Sequence, residues 1–288
     1  MTHETPTSNH GRGAPEERLP GALTSPSFRD FEGKAAIITG AASGIGLALA
    51  HALAASGVDL ALADIDARGL EAARAQLAST GRRIYTRVLD VARDADVRAA
   101  ASEFEAQLGK VHLVFNNAGI EMSGALESLS EDDWTRVFGV NVFGVIHGIR
   151  HFVPLLLRRH GEPAHIVNTA SGAGFWVNRD VSMGSYSATK SCVVALSEAL
   201  EQELDGSRIG VSVLCPGPVA TSIAERSSRS SERLRASIAA GMTPEKVAAR
   251  VLGAIRDGEF YIFTHAQLQT SLQKRFARIF EALSRLPQ

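Results

Sequence analysis

From Lys34 onward the chain alternates between short, almost wholly apolar runs and longer stretches whose apolar residues recur every three to four positions. Short apolar runs that end in glycine or a polar residue predict buried strands, and the longer periodic stretches predict helices. AAIITG (Ala35 to Gly40) reads as the first strand and Ile45 to Ser56 as the first helix, stopped by Gly57. Val58 to Asp64 is a second strand, followed by an Ala-rich helix over Ala67 to Ser79. Arg82 to Val91 and Val111 to Gly119 are strands three and four, separated by a helix from Asp94 to Leu108. A long helical region, Asp132 to Arg159, contains Pro154, which predicts a kink. His165 to Ser171 and Arg208 to Gly217 are strands five and six, with a helix between them over Gly184 to Leu204. A helix over Glu245 to Arg256 and a last strand over Glu259 to His265 complete the series.

Strand and helix in strict alternation predict an α/β fold: a doubly wound parallel sheet of Rossmann type, one domain in three α/β/α layers. Residues 31–265 form that domain, and 266–288 are expected to add a helical extension. The first thirty residues are rich in Pro, Gly, Ser and Thr and nearly devoid of apolar pairs. They read as a disordered tail, with a targeting or partner-binding arm as the alternative.

Composition narrows the partners. Thirty basic residues stand against thirty-one acidic ones, for a net charge of −1. That balance argues against nucleic acid or an anionic membrane surface as a partner. No run of about 18 apolar residues is seen, which argues against a membrane span. Cys192 and Cys215 both lie in apolar runs and read as buried free thiols, which suits a reducing, cytoplasmic setting.

TGAASGIG (Thr39 to Gly46) falls where the first strand meets the first helix. Gly40, Gly44 and Gly46 allow a tight turn and close backbone approach, and Ser43 and Ile45 sit among them. The helix that begins there offers unpaired N–H groups to a pyrophosphate. Asp64 ends the second strand, where a carboxylate can accept hydrogen bonds from an adenosine ribose and would repel a 2′-phosphate. With no basic residue in the glycine turn, this favours NAD over NADP, although Asp64 could instead cap the next helix. Arg68 is the nearby cation that weakens the preference. Asp90 and Val91 end strand three, where they would border the adenine; Asp90 as a plain helix cap is the rival reading.

Tyr186 and Lys190 are four apart in YSATK, on one face of a helix. A phenol of pKa ~10 needs about 4 kcal/mol to shift by three units, and a cation about 4 Å away at a dielectric of about 20 supplies that much. Tyr186 is therefore expected to accept a proton in oxidation, or donate one in reduction, with Lys190 lowering its pKa. Ser171 ends strand five at the sheet's carboxyl edge, where its hydroxyl can hold a substrate oxygen.

TGAASGIG, DV, NNAG, the Asn of GVNVFG, the Ser of NTAS, YSATK and PGPVAT occur in one order along the chain, and in this the sequence resembles the short-chain dehydrogenase/reductase family over about Glu32 to Thr264. The resemblance implies a nicotinamide cofactor and the interconversion of an alcohol and a carbonyl, without metal. It implies a catalytic set of Asn141, Ser171, Tyr186 and Lys190. In that set Lys190 also holds the nicotinamide ribose, and Asn141 positions a water linking Lys190 to solvent. Asn117, Ala118 and Gly119 belong to the cofactor site. Pro216 turns the chain so that Val219 and Thr221 present a backbone N–H and a hydroxyl to the carboxamide. Ser171 and Tyr186 stand fifteen positions apart, more than in many members, so the loop between them is longer.

Phe175 and Trp176, with Val181 and Met183, are expected to wall a bulky, apolar or aromatic secondary alcohol or ketone beside Ser171; packing at a subunit interface is the alternative. FGVNVFGVIHGIRHFVPLLL and YIFTHAQLQTSLQKRF add a similarity to members acting on aryl alcohols, including benzylic carbinols of lignin-type ethers. Ser222 to Gly241 reads as a segment closing over the substrate, its arginines either steering an acidic substrate or forming a solvated face. His147 and His151, four apart, have no further ligand and read as ordinary core or interface histidines. Apolar residues around both long helices predict a homodimer or homotetramer. The competing functions are an NADPH-dependent carbonyl reductase and a non-catalytic dinucleotide-binding sensor.

Overall fold

The computed structural model describes residues 28–158, 161–178, 181–227 and 229–287. Seven parallel strands form one sheet in the order β3-β2-β1-β4-β5-β6-β7. They are β1 (Ala35–Thr39), β2 (Asp59–Asp64), β3 (Ile84–Val88), β4 (Leu113–Asn116), β5 (Ala164–Thr169), β6 (Ile209–Cys215) and β7 (Tyr261–Phe263). The intervening helices are α1 (Gly44–Ala55), α2 (Ala67–Leu77), α3 (Asp94–Leu108), α4 (Glu131–Phe138), α5 (Gly144–Leu157), α6 (Gly184–Glu203), α7 (Glu232–Ala239), α8 (Pro244–Asp257) and α9 (Leu268–Leu283).

The continuous apolar runs follow from burial on both faces of the sheet. On β1, Ala36 and Ile38 pack with Leu49 and Leu53 of α1 and Val251 and Ile255 of α8. Ala35 and Ile37 face the other way, onto Phe104 of α3 and Phe152 and Leu156 of α5. Period-two alternation thus divides one strand between two cores. Helix starts are set by side chains: Asp66 accepts from Gly69 N at 3.0 Å, Ser130 and Asp133 form a capping box, and Thr243 precedes Pro244 at the start of α8.

Several boundaries differ from expectation. Strands three, four and seven are shorter, because the residues after each leave the sheet to line a cavity or a turn. The helical region after Asp132 is not one helix: Gly139–Phe143 is a π-helical turn between α4 and α5. The helix runs on past Pro154 to Leu157, so the interruption falls at the π turn. Taken from Glu131 to Leu157, this helix is long and apolar enough by length and composition to cross a membrane, contrary to the expectation from apolar run length. Here it packs against α3 and the sheet, with 56% of its most apolar window buried.

The expected tail, 1–30, lies outside the described residues except at its end. There Phe28 is buried, its N–H 3.5 Å from the Ile255 carbonyl and its ring 5.3 Å from that of Phe31. The ordered chain therefore begins before residue 31, because Phe28 completes the core beneath α8.

Candidate active site

Strand order reverses between β1 and β4, and the carboxyl ends of the strands there open on a cavity of about 1110 Å³. Gly40, Ser43, Gly44 and Ile45 line one end of it. Gly40 has φ +66°, and a Cβ there would sit 2.8 Å from Ala118 Cα. Gly46 lies behind the turn, where a Cβ would meet the Gly40 carbonyl oxygen at 2.1 Å, so only glycine lets α1 start this close to β1. Ser43 precedes α1 without capping it by its side chain, which leaves the helix N–H groups directed at the cavity. The residues present fit the phosphates of a dinucleotide.

Asp64 is 8% exposed and lines the same cavity. Its two carboxylate oxygens each accept one backbone N–H, from Ala42 and Asp66, both at 3.0 Å. It does not cap α2, because Asp66 does so. Each oxygen retains a lone pair, enough to accept a ribose hydroxyl. Ile65, exposed beside it, supplies an apolar plate at the same end. Asp90 accepts from Ala92 N at 3.0 Å, and Asp90 and Val91 form the cavity wall that follows β3.

Asn117, Ala118 and Gly119 continue the wall after β4. The Asn117 amide is taken up by the glycine turn, donating to the Thr39 and Gly40 carbonyls at 3.1 and 3.3 Å. It braces the phosphate loop from β4. Pro216 and Thr221 line the cavity, whereas Val219 is buried with its main chain paired to Met242.

At the reacting end, Tyr186 and Lys190 of α6 both face the cavity. Ser171 stands beside Tyr186, outside the cavity lining, its hydroxyl donating to the Pro216 carbonyl at 3.4 Å and accepting from Ala173 N at 3.1 Å. The Lys190 ammonium donates to the Thr169 carbonyl at 2.8 Å and lies 5.7 Å from the Tyr186 ring centroid. Burial pushes the phenol up to about 12; the Ser171 hydrogen bond opposes this and the nearby Glu121 charge adds to it. Burial also lowers Lys190 to about 8. Burial thus opposes the acidifying effect expected of the Lys190 ammonium.

Asn141 occupies the π turn, fully buried. Its Oδ1 accepts from Ile120 N at 2.8 Å, and its Nδ2 donates to the Ile120 carbonyl at 3.0 Å and to Thr189 Oγ1 at 3.1 Å. It ties the segment after β4 to α6, and a π turn at a functional residue is a common placement.

The expected substrate walls are not where the sequence suggested. Phe175 packs 5.5 Å from Phe263 and 6.0 Å from Tyr261, on the far side of α6. Neither Phe175, Trp176 nor Met183 lines the cavity. Between Ala170 and Tyr186 no described residue lines the cavity. The apolar wall comes instead from Ile120, Met122, Trp134, Phe138, Val140, Phe143 and Ile223. Glu121, also on the wall, was unread in the sequence; its place just after strand four's carboxyl end was the available signal. The segment after β6 does cover this end: Arg229 pairs with Asp133 at 2.9 Å, and Arg226 donates to Ser43 Oγ at 3.2 Å. These contacts occupy two of the arginines considered for steering an acidic substrate.

The remaining candidates are engaged elsewhere. His147 bonds the Val91 carbonyl at 2.9 Å, and His151 pairs with Asp94 at 2.8 Å. Cys215 is buried and its thiol is pushed up to about 12 by burial.

The sequence profile described as short chain dehydrogenase matches residues 34–232. A 1-deoxy-11-beta-hydroxypentalenate dehydrogenase of Streptomyces avermitilis is 36% identical over 257 residues, 87% of this chain and 91% of its own. A C alpha-dehydrogenase of a Sphingobium species is 33% identical over 278 residues, 89% of this chain and 88% of its own. A short chain dehydrogenase/reductase of Burkholderia phymatum, solved in complex with NAD, superposes with TM-score 0.82 at 39% identity, covering 90% of this chain and 98% of its own. A short chain dehydrogenase of Burkholderia cenocepacia, solved in complex with NADP, gives TM-score 0.73 at 28% identity, covering 84% and 100%.

Proposed function

The chain belongs to the short-chain dehydrogenase/reductase family and is an NAD(P)-dependent oxidoreductase that interconverts a secondary alcohol and its ketone; we propose that it uses NAD and acts on a bulky apolar or aromatic alcohol. The observation that carries the cofactor reading is the buried Asp64 carboxylate, with spare acceptor capacity at the ribose end of the cavity. A 2′-phosphate would place like charge against it in a poorly solvated site. The substrate reading rests on the aromatic side chains Trp134 and Phe138, which line the same cavity as Tyr186 and pack with each other. The C alpha-dehydrogenase relative supports a dehydrogenase reading of the same site.

When bound, the nicotinamide supplies the hydride acceptor or donor and, oxidised, a positive ring charge. Gly40, Gly44 and the N-terminus of α1 would hold its phosphates. Tyr186 Oη holds the proton that the substrate oxygen gives up or receives. Tyr186 holds its proton at neutral pH, ready to give it in reduction, and must release it for oxidation. Ser171, beside the phenol, would hold the substrate oxygen once its hydroxyl turns from the Pro216 carbonyl. Lys190, anchored by Thr169, is the cation beside the phenol and holds the nicotinamide ribose. Asn141 fixes the Ile120 main chain against α6.

The described surface also carries an apolar row on α9, where Phe276, Ile279, Phe280 and Leu283 are exposed, together with Phe143. These faces support association of two or more copies. A cytoplasmic setting is part of the same proposal, resting on the two unpaired thiols.

The deciding experiment follows reduced cofactor by fluorescence while aryl and alicyclic secondary alcohols are offered with NAD⁺ and NADP⁺ in parallel. Faster turnover with NAD⁺ and an aryl alcohol is expected; equal or better use of NADP⁺ would remove the Asp64 reading.

A further inference from the structure

Glu121 is an acidic side chain on the cavity wall near Tyr186 that the reaction described above does not use. It is 4% exposed, lines the cavity, and lies close enough to Tyr186 for its charge to act on the phenol. Its carboxylate is held from two directions. Ser123, two residues along, donates to Oε1, and Ser230, from the segment that covers the site, donates to Oε2. The Ile120 main chain before it is clamped by the Asn141 amide. The carboxylate is therefore oriented by three separate parts of the chain.

It has no cation. Among the described residues Glu121 forms no ion pair: Arg229 of the covering segment is engaged by Asp133, and Lys190 by the Thr169 carbonyl. A carboxylate accepts about four hydrogen bonds, and two sites are filled by the serines. Its other neighbours on the wall, Ile120 and Met122, are apolar. A buried charge without a counter-ion is costly unless hydrogen bonds satisfy it, so the unfilled acceptor sites favour a ligand that brings a donor.

We propose that Glu121 is a specificity-determining residue that selects substrates carrying a second hydrogen-bond donor, a hydroxyl or an ammonium, next to the carbinol that reacts at Tyr186. The substrate class is then a vicinal diol or amino alcohol, or the matching hydroxy- or amino-ketone, on an apolar or aromatic body. A substrate carrying a carboxylate at that position is rejected by like charge. The inference rests on the reading of this cavity end as the substrate site.

The test is equilibrium binding to the NADH complex by calorimetry, which needs no turnover. The probes are 1-phenylethanol, 1-phenyl-1,2-ethanediol, 2-amino-1-phenylethanol and mandelate. In the unaltered protein the diol or the amino alcohol binds about tenfold or more tightly than 1-phenylethanol, as expected for one hydrogen bond to a charged group, and mandelate binds most weakly. The two donor probes separate a hydroxyl from an ammonium. Glu121→Leu removes the preference while sparing 1-phenylethanol. Glu121→Gln, which keeps the shape and the serine contacts, weakens the amino alcohol and admits mandelate. The same order of affinities in the unaltered protein and in both variants, or no binding of either donor probe, overturns the proposal. Ordered binding to the NADH complex together with no oxidation of any probe when NAD⁺ replaces NADH counts instead against the dehydrogenase reading of this cavity end and leaves the Glu121 selection supported.

Discussion

Lys190 lies over the ring of Tyr186, its ammonium nitrogen 5.7 Å from the ring centroid, and both groups are shifted by burial in opposite directions, the phenol to about 12 and the amine to about 8. Oxidation needs the deprotonated phenol and reduction the protonated one. Oxidative kcat/KM is therefore expected to climb with pH from 7 to 10, by up to tenfold per unit, while reductive kcat/KM stays flat over the lower part of that range. Tyr186→Phe is expected to lower turnover by about 10²- to 10⁴-fold in both directions, with the NADH dissociation constant changed by no more than about threefold. Stopped-flow pH profiles and a fluorescence titration measure these. An oxidative rate independent of pH, or a Tyr186→Phe variant that keeps more than a few per cent of activity, removes Tyr186 as the proton carrier.

Asp64 stands at the other end of the cavity, and its role is tested by cofactor choice. Asp64→Ser leaves the Ala42 and Asp66 N–H groups with a shorter side chain and takes away the charge that repels a 2′-phosphate. NAD⁺ affinity is expected to fall about tenfold or more, and the NADP⁺ to NAD⁺ ratio of kcat/KM to rise by at least that factor. Parallel titrations with NADH and NADPH give the binding part alone. An unchanged ratio means that selectivity lies elsewhere.

How far the sequence could be read depended on whether a residue's neighbours in space are also its neighbours in the chain. The glycine turn, Asp64 and the Tyr186–Lys190 pair are local patterns fixed to a strand end or one helical turn, and all line the cavity. The substrate walls are not local. Phe175 lies four residues from Ser171, yet it faces Phe263, and nothing in its own stretch states which way it turns. The wall assembles from the segments around Met122, Trp134 and Ile223, which only the β4 and β6 crossovers bring together. The π turn was invisible for a related reason: GVNVF keeps a helical apolar pattern, and the extra residue per turn shows only in hydrogen bonding. Spacing also places an ammonium near Tyr186 but says nothing of the desolvation that opposes it.

The glycine turn makes a prediction about packing. A Cβ on Gly46 would lie 2.1 Å from the Gly40 carbonyl oxygen, a backbone atom that moves only if α1 withdraws from β1. Gly46→Ala is expected to destabilise by about 1–3 kcal/mol and to weaken NADH binding at least tenfold. Gly253, inside α8, has open space around it, so Gly253→Ala is the control. It is expected to stabilise by roughly 0.5–1 kcal/mol and leave NADH binding alone. Urea unfolding and cofactor titration of both variants decide the point; a Gly46→Ala protein that binds NADH normally would show that the close contact is dispensable.

His165 sets a stability limit on the acid side. It lies fully buried on β5, with Nε2 2.7 Å from Ser212 Oγ, and burial lowers its pKa from the usual 6.5 to about 3. The folded protein therefore keeps the ring neutral at pH values where the unfolded chain binds a proton. A base depressed in this way contributes stability that is fully present above pH 6.5. That contribution is lost as pH falls from 6.5 toward 3, by up to about 1.4 kcal/mol per pH unit. His165→Leu removes the titration, and Ser212 keeps its 2.6 Å hydrogen bond to the Glu259 carbonyl. The variant is expected to be less stable at pH 7.5 but to lose less between pH 6.5 and 4.5 than the unaltered protein. Urea midpoints at pH 7.5, 6.5, 5.5 and 4.5 measure both slopes, and parallel slopes for the two proteins would assign the acid sensitivity to other groups.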